Sequence, residues 1–390
     1  MANATKRLSQ KERNMASREI CTGTGACLRC QAAGTGCESP EQLLLGPQDA
    51  NAVRSLERIL SRSGVEFESW GRLLALPPNP GGKSELADHL RRVVPEPLQA
   101  ETRAAFVAAT PLKPASILDA FLRAQSLGAL LAQTTHEWVR DALTKGWLFS
   151  VYHPIIDART GEPFAHEALL RARHPRTKET IGAGAIIDAC EALNLHHVLD
   201  QQARRAAIHG AAALGLSGLC FINFMPNAIY DPEICLRTTM AAASETGTPL
   251  ASLVFEVVET EQIPDLKRLK AILEYYRERG VGTAVDDMGA GFTALEHLTA
   301  LRPDYVKIDR GLVVRAEYET QARHDPHEIM SESRTLGIKV ICEGIETPGQ
   351  MAVCQEAGAD YLQGFLFARP ANPPQIADTR PFTQALALAA

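Results

Sequence analysis

The sequence predicts an α/β protein whose residues 146–390 close into a (β/α)8 barrel, preceded by a smaller, mostly helical or mixed N-terminal region. Three observations predict it. From Trp147 onward, eight short β-rich runs alternate with stretches of helical character: LFSVYHPII, FAHEALLRA, LCFINF, SLVFEVVE, GTAVDD, YVKID, KVICEG and YLQGFLFA. Each run is read as followed by a connection long enough for a helix, except at the chain end, and such alternation argues for a mostly parallel sheet. Eight units over this length match the size of a TIM-like barrel.

The elements ahead of the barrel follow in order. Residues 1–40 are irregular, rich in Gly, Ser and Thr, and carry Cys21, Cys27, Cys30 and Cys37 in a C-x5-C-x2-C-x6-C pattern. The C-x2-C unit is a good chelator, and a structural metal could give this Gly-rich segment the fold it otherwise lacks; redox sensing and an unligated segment are the alternatives. Residues 41–145 read as a regulatory or sensory region. An apolar run at Leu43–Leu45 precedes Gly46-Pro47, and a helical pattern then runs through Leu56, Ile59 and Leu60. A second apolar stretch at Leu73–Leu76 ends at the loop PPNPGGK. Leu86–Val94 and Ser116–Leu131 read as helices, the latter with Ser116 as N-cap, and a further helix covers Thr135–Leu143. Trp138 and Trp147 read as packing anchors at the barrel entry.

Composition excludes several classes. Hydrophobic content of 45% and charged content of 22% belong to an ordinary globular chain. Residues 1–145 hold 18 Lys+Arg against 15 Asp+Glu, whereas residues 146–390 hold 22 against 31. So acidic a barrel is a poor surface for duplex nucleic acid, which needs a basic face. The N-terminus has no apolar run for a signal peptide, and no stretch approaches the roughly 18 apolar residues that span a bilayer. A cytoplasmic protein without membrane insertion is expected, its nine cysteines reduced or metal-bound.

The polar residues of the barrel carry the chemistry. Seven of the eight runs place a polar or charged side chain late in an apolar strand: Glu167, Asn223, Glu256, Asp286 with Asp287, Lys307, Glu343 and Gln363. Barrel active sites lie at the C-terminal strand ends, and a charge inside a β-run is costly unless paired or bound to metal. Glu, Asp, Asn and Gln are hard oxygen donors suited to Mg2+ or Mn2+. Adjacent Asp286 and Asp287 would let one carboxylate bridge two ions while the other binds the second. Two such ions form a clamp for in-line displacement at phosphorus, with Lys307 placed to orient water or steady transition-state charge.

These motifs resemble, in order, those of the EAL domain family. HEALLRA at 166–172 resembles the signature that names it. INF at 222–224, FEVVE at 255–259, VDDMGAGF at 285–292, YVKID at 305–309, EGIET at 343–347 and QGFLFARP at 363–370 are similar to its later motifs. The resemblance implies hydrolysis of one phosphodiester bond of cyclic di-GMP to linear pGpG, with two Mg2+ or Mn2+ ions per site. It implies Glu167, Asn223, Glu256 and Asp286 at the first metal and Asp286, Asp287 and Glu343 at the second. Lys307 resembles the catalytic lysine, and Glu343 also resembles a general base. Arg171 resembles the arginine that grips a substrate phosphate. Gln363 resembles the residue that holds a metal-bound water and completes, with Arg171 and His153, the substrate-facing set. Glu259 resembles the glutamate that anchors the loop after Asp287, and a homodimer through that loop and the next helix is implied.

The sequence departs from the family at His153, where Gln is usual, at Met288 in place of Phe, and at Cys342, which reads as a small buried hydrophobe. The alternatives to an active enzyme are a cyclic di-GMP receptor without activity and a protein-interaction module on an EAL barrel. His324 and His327 read as a solvated turn. His196-His197, with the helical pattern that carries Asp200, reads as surface.

Overall fold

The computed structural model describes residues 41–108, 114–229, 232–258, 266–288, 292–319 and 324–382. Glu259 and the cysteines Cys21, Cys27, Cys30 and Cys37 lie outside them. The chain divides into two compact units, Met1–Thr135 and His136–Ala390. No helix among the described residues is long and apolar enough to cross a membrane.

In the first unit β1 (Glu41–Pro47) is the central strand of an antiparallel sheet with β2 (Glu68–Trp70), β3 (Leu73–Leu76), β4 (Thr102–Ala108) and β5 (Gln125–Ser126), in the order β2-β3-β1-β4-β5. Strand and helix order make this a split βαβ arrangement. The unbroken Leu43-Leu44-Leu45 run has its reason here. Leu43 and Leu45 pack under Val53, Leu56 and Leu60 of the helix Ala50–Arg62 and Leu86 and Leu90 of the helix Lys83–Val93. Leu44 turns to the opposite face, where Ile117 and Ala120 of the helix Pro114–Arg123 cover it. A strand covered on both faces needs no polar alternation. Asp49 caps the first helix, its Oδ1 accepting from the Asn51 and Ala52 amides at 2.8 Å.

Two sequence expectations change. Strand β4 was not anticipated, and Ser116–Leu131 is not one helix. The helix Pro114–Arg123 contains Ser116 rather than being capped by it, and a second helix, Leu127–His136, follows β5. The break lies where Gln125 and Ser126 pair with Ala104 and Arg103 of β4, while the Arg103 guanidinium bonds the Ala124 carbonyl. Tertiary pairing here overrides helix propensity.

The second unit opens with the helix Trp138–Thr144, whose Val139 and Leu143 are buried against Ala172, Ile186 and Leu199, with Trp138 and Trp147 packed around them. The barrel strands are β6 (Leu148–Asp157), β7 (Pro163–Arg173), β9 (Leu219–Asn223), β10 (Leu253–Val258), β11 (Gly282–Met288), β12 (Tyr305–Ile308), β13 (Lys339–Cys342) and β14 (Tyr361–Leu362). They close in that order through β14–β6 and β6–β7 pairings, with β8 (Thr180–Gly182) appended to β7. Strands β7 and β9–β14 are mutually parallel, but β6 is antiparallel to both neighbours. Its connection to β7 is a hairpin, not a helical crossover. The few residues between Asp157 and Pro163 cannot make a crossover, which takes a dozen or more. They turn instead on Asp157, whose Oδ1 accepts from the Arg159 and Thr160 amides at 2.9 Å, and on Gly161 at φ 75°.

Helices after β8 and after β9 to β13 cover the outside of the barrel, and the largest core lies between them and the strands. Two further expectations are corrected. His324 and His327 belong to a helix, His324–Leu336, because Pro326 falls in the first turn, where no intrahelical N–H is lost. Asp200 is buried rather than superficial, paired at 2.6 Å with Arg204 one turn along the helix His196–Ala213.

Candidate active site

Side chains alternate across a strand, so inward-facing residues lie two apart. Along the barrel these pairs are Ala165/Glu167, Phe221/Asn223, Val254/Glu256, Ala284/Asp286, Tyr305/Lys307, Ile341/Glu343 and Tyr361/Gln363. On β6, which runs the other way, the order reverses to His153/Ile155. Ile155, Ala165, Phe221, Val254, Ala284 and Ile341 form a buried apolar plug, with Tyr305 and Tyr361 packed on it. The polar member of each pair stands one step nearer the mouth. Charges on such a dry floor interact far more strongly than in water.

Lys307 organises this tier. Its ammonium, without solvent exposure, lies 2.6 Å from Glu343 Oε1, 3.1 Å from Glu256 Oε2, 3.4 Å from Glu167 Oε2 and 3.5 Å from Asp286 Oδ1. All four contacts are ones of charge, because the ammonium has no aligned hydrogen-bond partner. The Asn223 amide donates to Glu256 Oε1 at 2.7 Å and to Glu167 Oε1 at 3.4 Å, and the Gln363 amide donates to Glu167 Oε2 at 2.8 Å.

Backbone contacts fix the rim. The Glu343 amide donates to Ile308 O at 3.1 Å, Gln363 N to Cys342 O at 2.9 Å, and Ile345 N to Gln363 O at 3.0 Å. Gly364 is required at this crossing, because a Cβ there would collide with the Ile345 backbone. Asp287 takes φ 54°, a left-handed conformation that Asp tolerates better than most residues, and its amide donates to Asp286 Oδ1 at 2.8 Å.

One lysine does not neutralise this many carboxylates. Burial, together with the neighbouring carboxylates, lifts Glu256 well above its usual range in spite of Lys307. Burial raises Asp286 and Asp287 as well and pushes Glu343 up to about 8. Glu167 is also raised by burial, but Lys307 and the Gln363 amide more than offset this and hold it low. Burial opposes the charged form of Lys307, yet the four carboxylates hold it protonated far above its ordinary range.

Two overlapping groups of donors result. Carboxylate oxygens of Glu167, Glu256 and Asp286 lie within 4.8 Å of one another, as do those of Asp286, Asp287 and Glu343. The shared member is Asp286. All donors are hard oxygens, and the buried Gln363 Oε1 has no hydrogen-bond partner. This excess of clustered negative charge with an unsatisfied acceptor fits divalent cations.

The remaining sequence-predicted residues lie around the cup. His153 pairs across the ladder with Glu167, its Nε2 3.1 Å from Ala368 O, and burial depresses its basicity. Arg171 stands four residues beyond Glu167 on the same strand face, its guanidinium bonding the Leu170 carbonyl at 2.7 Å. Met288 and Cys342 are fully buried. Sequence reasoning missed Asp200, whose Oδ1 accepts from Met225 N at 3.0 Å and so holds the loop that leaves Asn223. The signal was present as Asp200 and Arg204 at i,i+4, on the same face as the apolar Ala207 and Ile208.

A lysine-centred cup of carboxylates at the C-terminal mouth of a (β/α)8 barrel is a donor set that suits divalent cations. The EAL domain family matches residues 136–370, and the chain belongs to that family. It is 30% identical over 243 residues to the cyclic di-GMP phosphodiesterase NbdA of Pseudomonas aeruginosa, covering 60% of this chain and 30% of that protein. The chain spans 30% to 38% of the length of the first curated relatives it matches. Among solved structures, the cyclic di-GMP-bound form of a standalone EAL protein from Vibrio cholerae is 32% identical, with a TM-score of 0.54 over 60% of this chain and 97% of that one. The manganese and cyclic di-GMP complex of Klebsiella pneumoniae BlrP1 covers 85% of this chain and 96% of its own, with a TM-score of 0.52. At 20% identity that likeness is one of fold alone.

Proposed function

We propose that the barrel hydrolyses one phosphodiester bond of cyclic di-GMP to linear pGpG, using two Mg2+ or Mn2+ ions, in bacterial second-messenger signalling. The observation that carries this reading is the pair of carboxylate groups sharing Asp286 around a buried Lys307. The named activity of NbdA and the cyclic di-GMP in the Vibrio structure support the substrate.

Glu167, Asn223, Glu256 and Asp286 would hold the first cation, and Asp286, Asp287 and Glu343 the second. The cations supply Lewis-acid activation of water and of the phosphate. Water adds to phosphorus, the bond to the 3′ oxygen breaks, and a proton passes to that leaving oxygen. Lys307 keeps its proton throughout and places a fixed positive charge beside the reacting phosphoryl group. With the cations bound and its own proton displaced, Glu343, 2.6 Å from Lys307, would accept a proton from water. Arg171 grips a phosphate oxygen with its fork of donors, Gln363 and His153 orient what lies beside it, and Glu259 anchors the loop after Asp287.

Residues 41–135, with a core of their own, serve as the regulatory unit in this reading. A cytoplasmic homodimer completes it. The test is turnover of cyclic di-GMP by the full chain with Mg2+ or Mn2+, repeated on Glu167→Ala and Lys307→Ala. Metal-dependent appearance of pGpG, lost in both variants, is expected. Binding without turnover in the unsubstituted protein identifies a receptor, and absence of both identifies an interaction module.

A further inference from the structure

Strand β7 does not stop at the cup. With β6 it continues as a ribbon above the barrel mouth, and the strand face that carries Glu167 goes on through Leu169, Arg171 and Arg173. Arg173 is exposed, and its guanidinium lies 4.9 Å from the centre of the Phe149 ring, diagonally across the ladder from it. Among the described residues it has no carboxylate partner, although the unit around it is rich in acid.

We infer that Arg173, seated over the Phe149 ring, reads a guanine base of the substrate and sets its preference for guanine over adenine. The inference rests on the phosphodiesterase reading above and deepens it. A guanidinium over an aromatic face is restrained while its N–H donors stay available, and those donors form a planar fork. Guanine offers two acceptors side by side, O6 and N7, and pairs with such a fork bidentately. Adenine replaces one of them with an amino donor. Arg173 stands two residues beyond Arg171, roughly 7 Å along the strand. If Arg171 takes one phosphate, a base, its sugar or the second phosphate lies about that distance away, and the planar fork of Arg173 favours the base.

The test compares cyclic di-GMP with cyclic di-AMP on the full chain with Mn2+, by equilibrium binding and steady-state turnover. Arg173→Ala should weaken cyclic di-GMP binding and raise KM by about ten- to a hundredfold. Binding of cyclic di-AMP should change by no more than about twofold, and kcat little. Arg173→Lys, with the charge but no fork, should not restore the preference. Unaltered melting of both variants confirms that the fold is intact. Equal weakening of both nucleotides with recovery by lysine would overturn the assignment in favour of a phosphate contact, and no change in either would remove it altogether. If the unsubstituted protein neither binds nor cleaves cyclic di-GMP, the phosphodiesterase reading fails, and this inference fails with it.

Discussion

Lys307 is the residue on which the electrostatics of the site turn. A buried cation within 3.5 Å of four carboxyl groups stabilises the metal-free cup. Lys307→Met, similar in size and uncharged, should lower turnover by at least about a hundredfold while Mn2+ still binds, as titration calorimetry would register. The carboxylates give a second expectation. Glu343, pushed up to about 8, and the raised Glu256 and Asp286 keep protons that the unfolded chain surrenders near pH 4–5. The folded state binds more protons across that window, so stability falls as pH rises from about 5 through 8. Glu167, held low, opposes this at acid pH, while Lys307 contributes nothing in the window because it stays charged in both states. The metal-free protein should therefore melt progressively lower between pH 5 and 8. Saturating Mn2+ should flatten the decline, and Mn2+ binding near pH 7 should release protons, measurable in buffers of different ionisation enthalpy.

At the scale of elements, strands aim the functional groups and helices hold the strand ends. Asp200 and Arg204 illustrate the second task. Both are buried, and Asp200 also fixes the Met225 amide beyond Asn223. Asp200→Ala would leave the Arg204 guanidinium buried and unpaired, which should cost about 3–5 kcal/mol in chemical denaturation. Joint replacement by Asp200→Leu and Arg204→Met should cost clearly less than the two single changes added. Gly364 illustrates the first task. Gly364→Ala forces the Ile345 backbone away and shifts Gln363 from Glu167. Turnover should drop by at least about tenfold, because a misplacement of about 1 Å already costs more than that in a preorganised site.

At the scale of the molecule, the boundary between units falls at Thr135/His136, ten residues before the break in sequence character at 145/146. The helix Trp138–Thr144 belongs with the barrel because Val139 and Leu143 are buried in its core. A fragment beginning at His136 should melt in one cooperative transition. A fragment beginning at Trp147 loses both side chains from the core and should be less stable by on the order of 3–6 kcal/mol. Calorimetry of the two fragments decides where the barrel starts.

Much of the barrel and its cup was legible in the chain. An apolar residue followed two positions later by a polar one, repeated on strand after strand, is a local pattern. The period of two alone sends both side chains inward with the polar one nearer the mouth. The sequence by itself therefore determined the eight strands, their order of use and the residues of the acidic tier, Glu167 through Gln363. It could not determine what depends on distant partners. The reversed direction of β6, the break at Gln125, the burial of Asp200 and the pairing of Phe149 with Arg173 each arise from a neighbour far along the chain or from a connection too short to cross over. Local periodicity records which face a residue takes, whereas the element that covers that face is chosen only when the chain closes on itself.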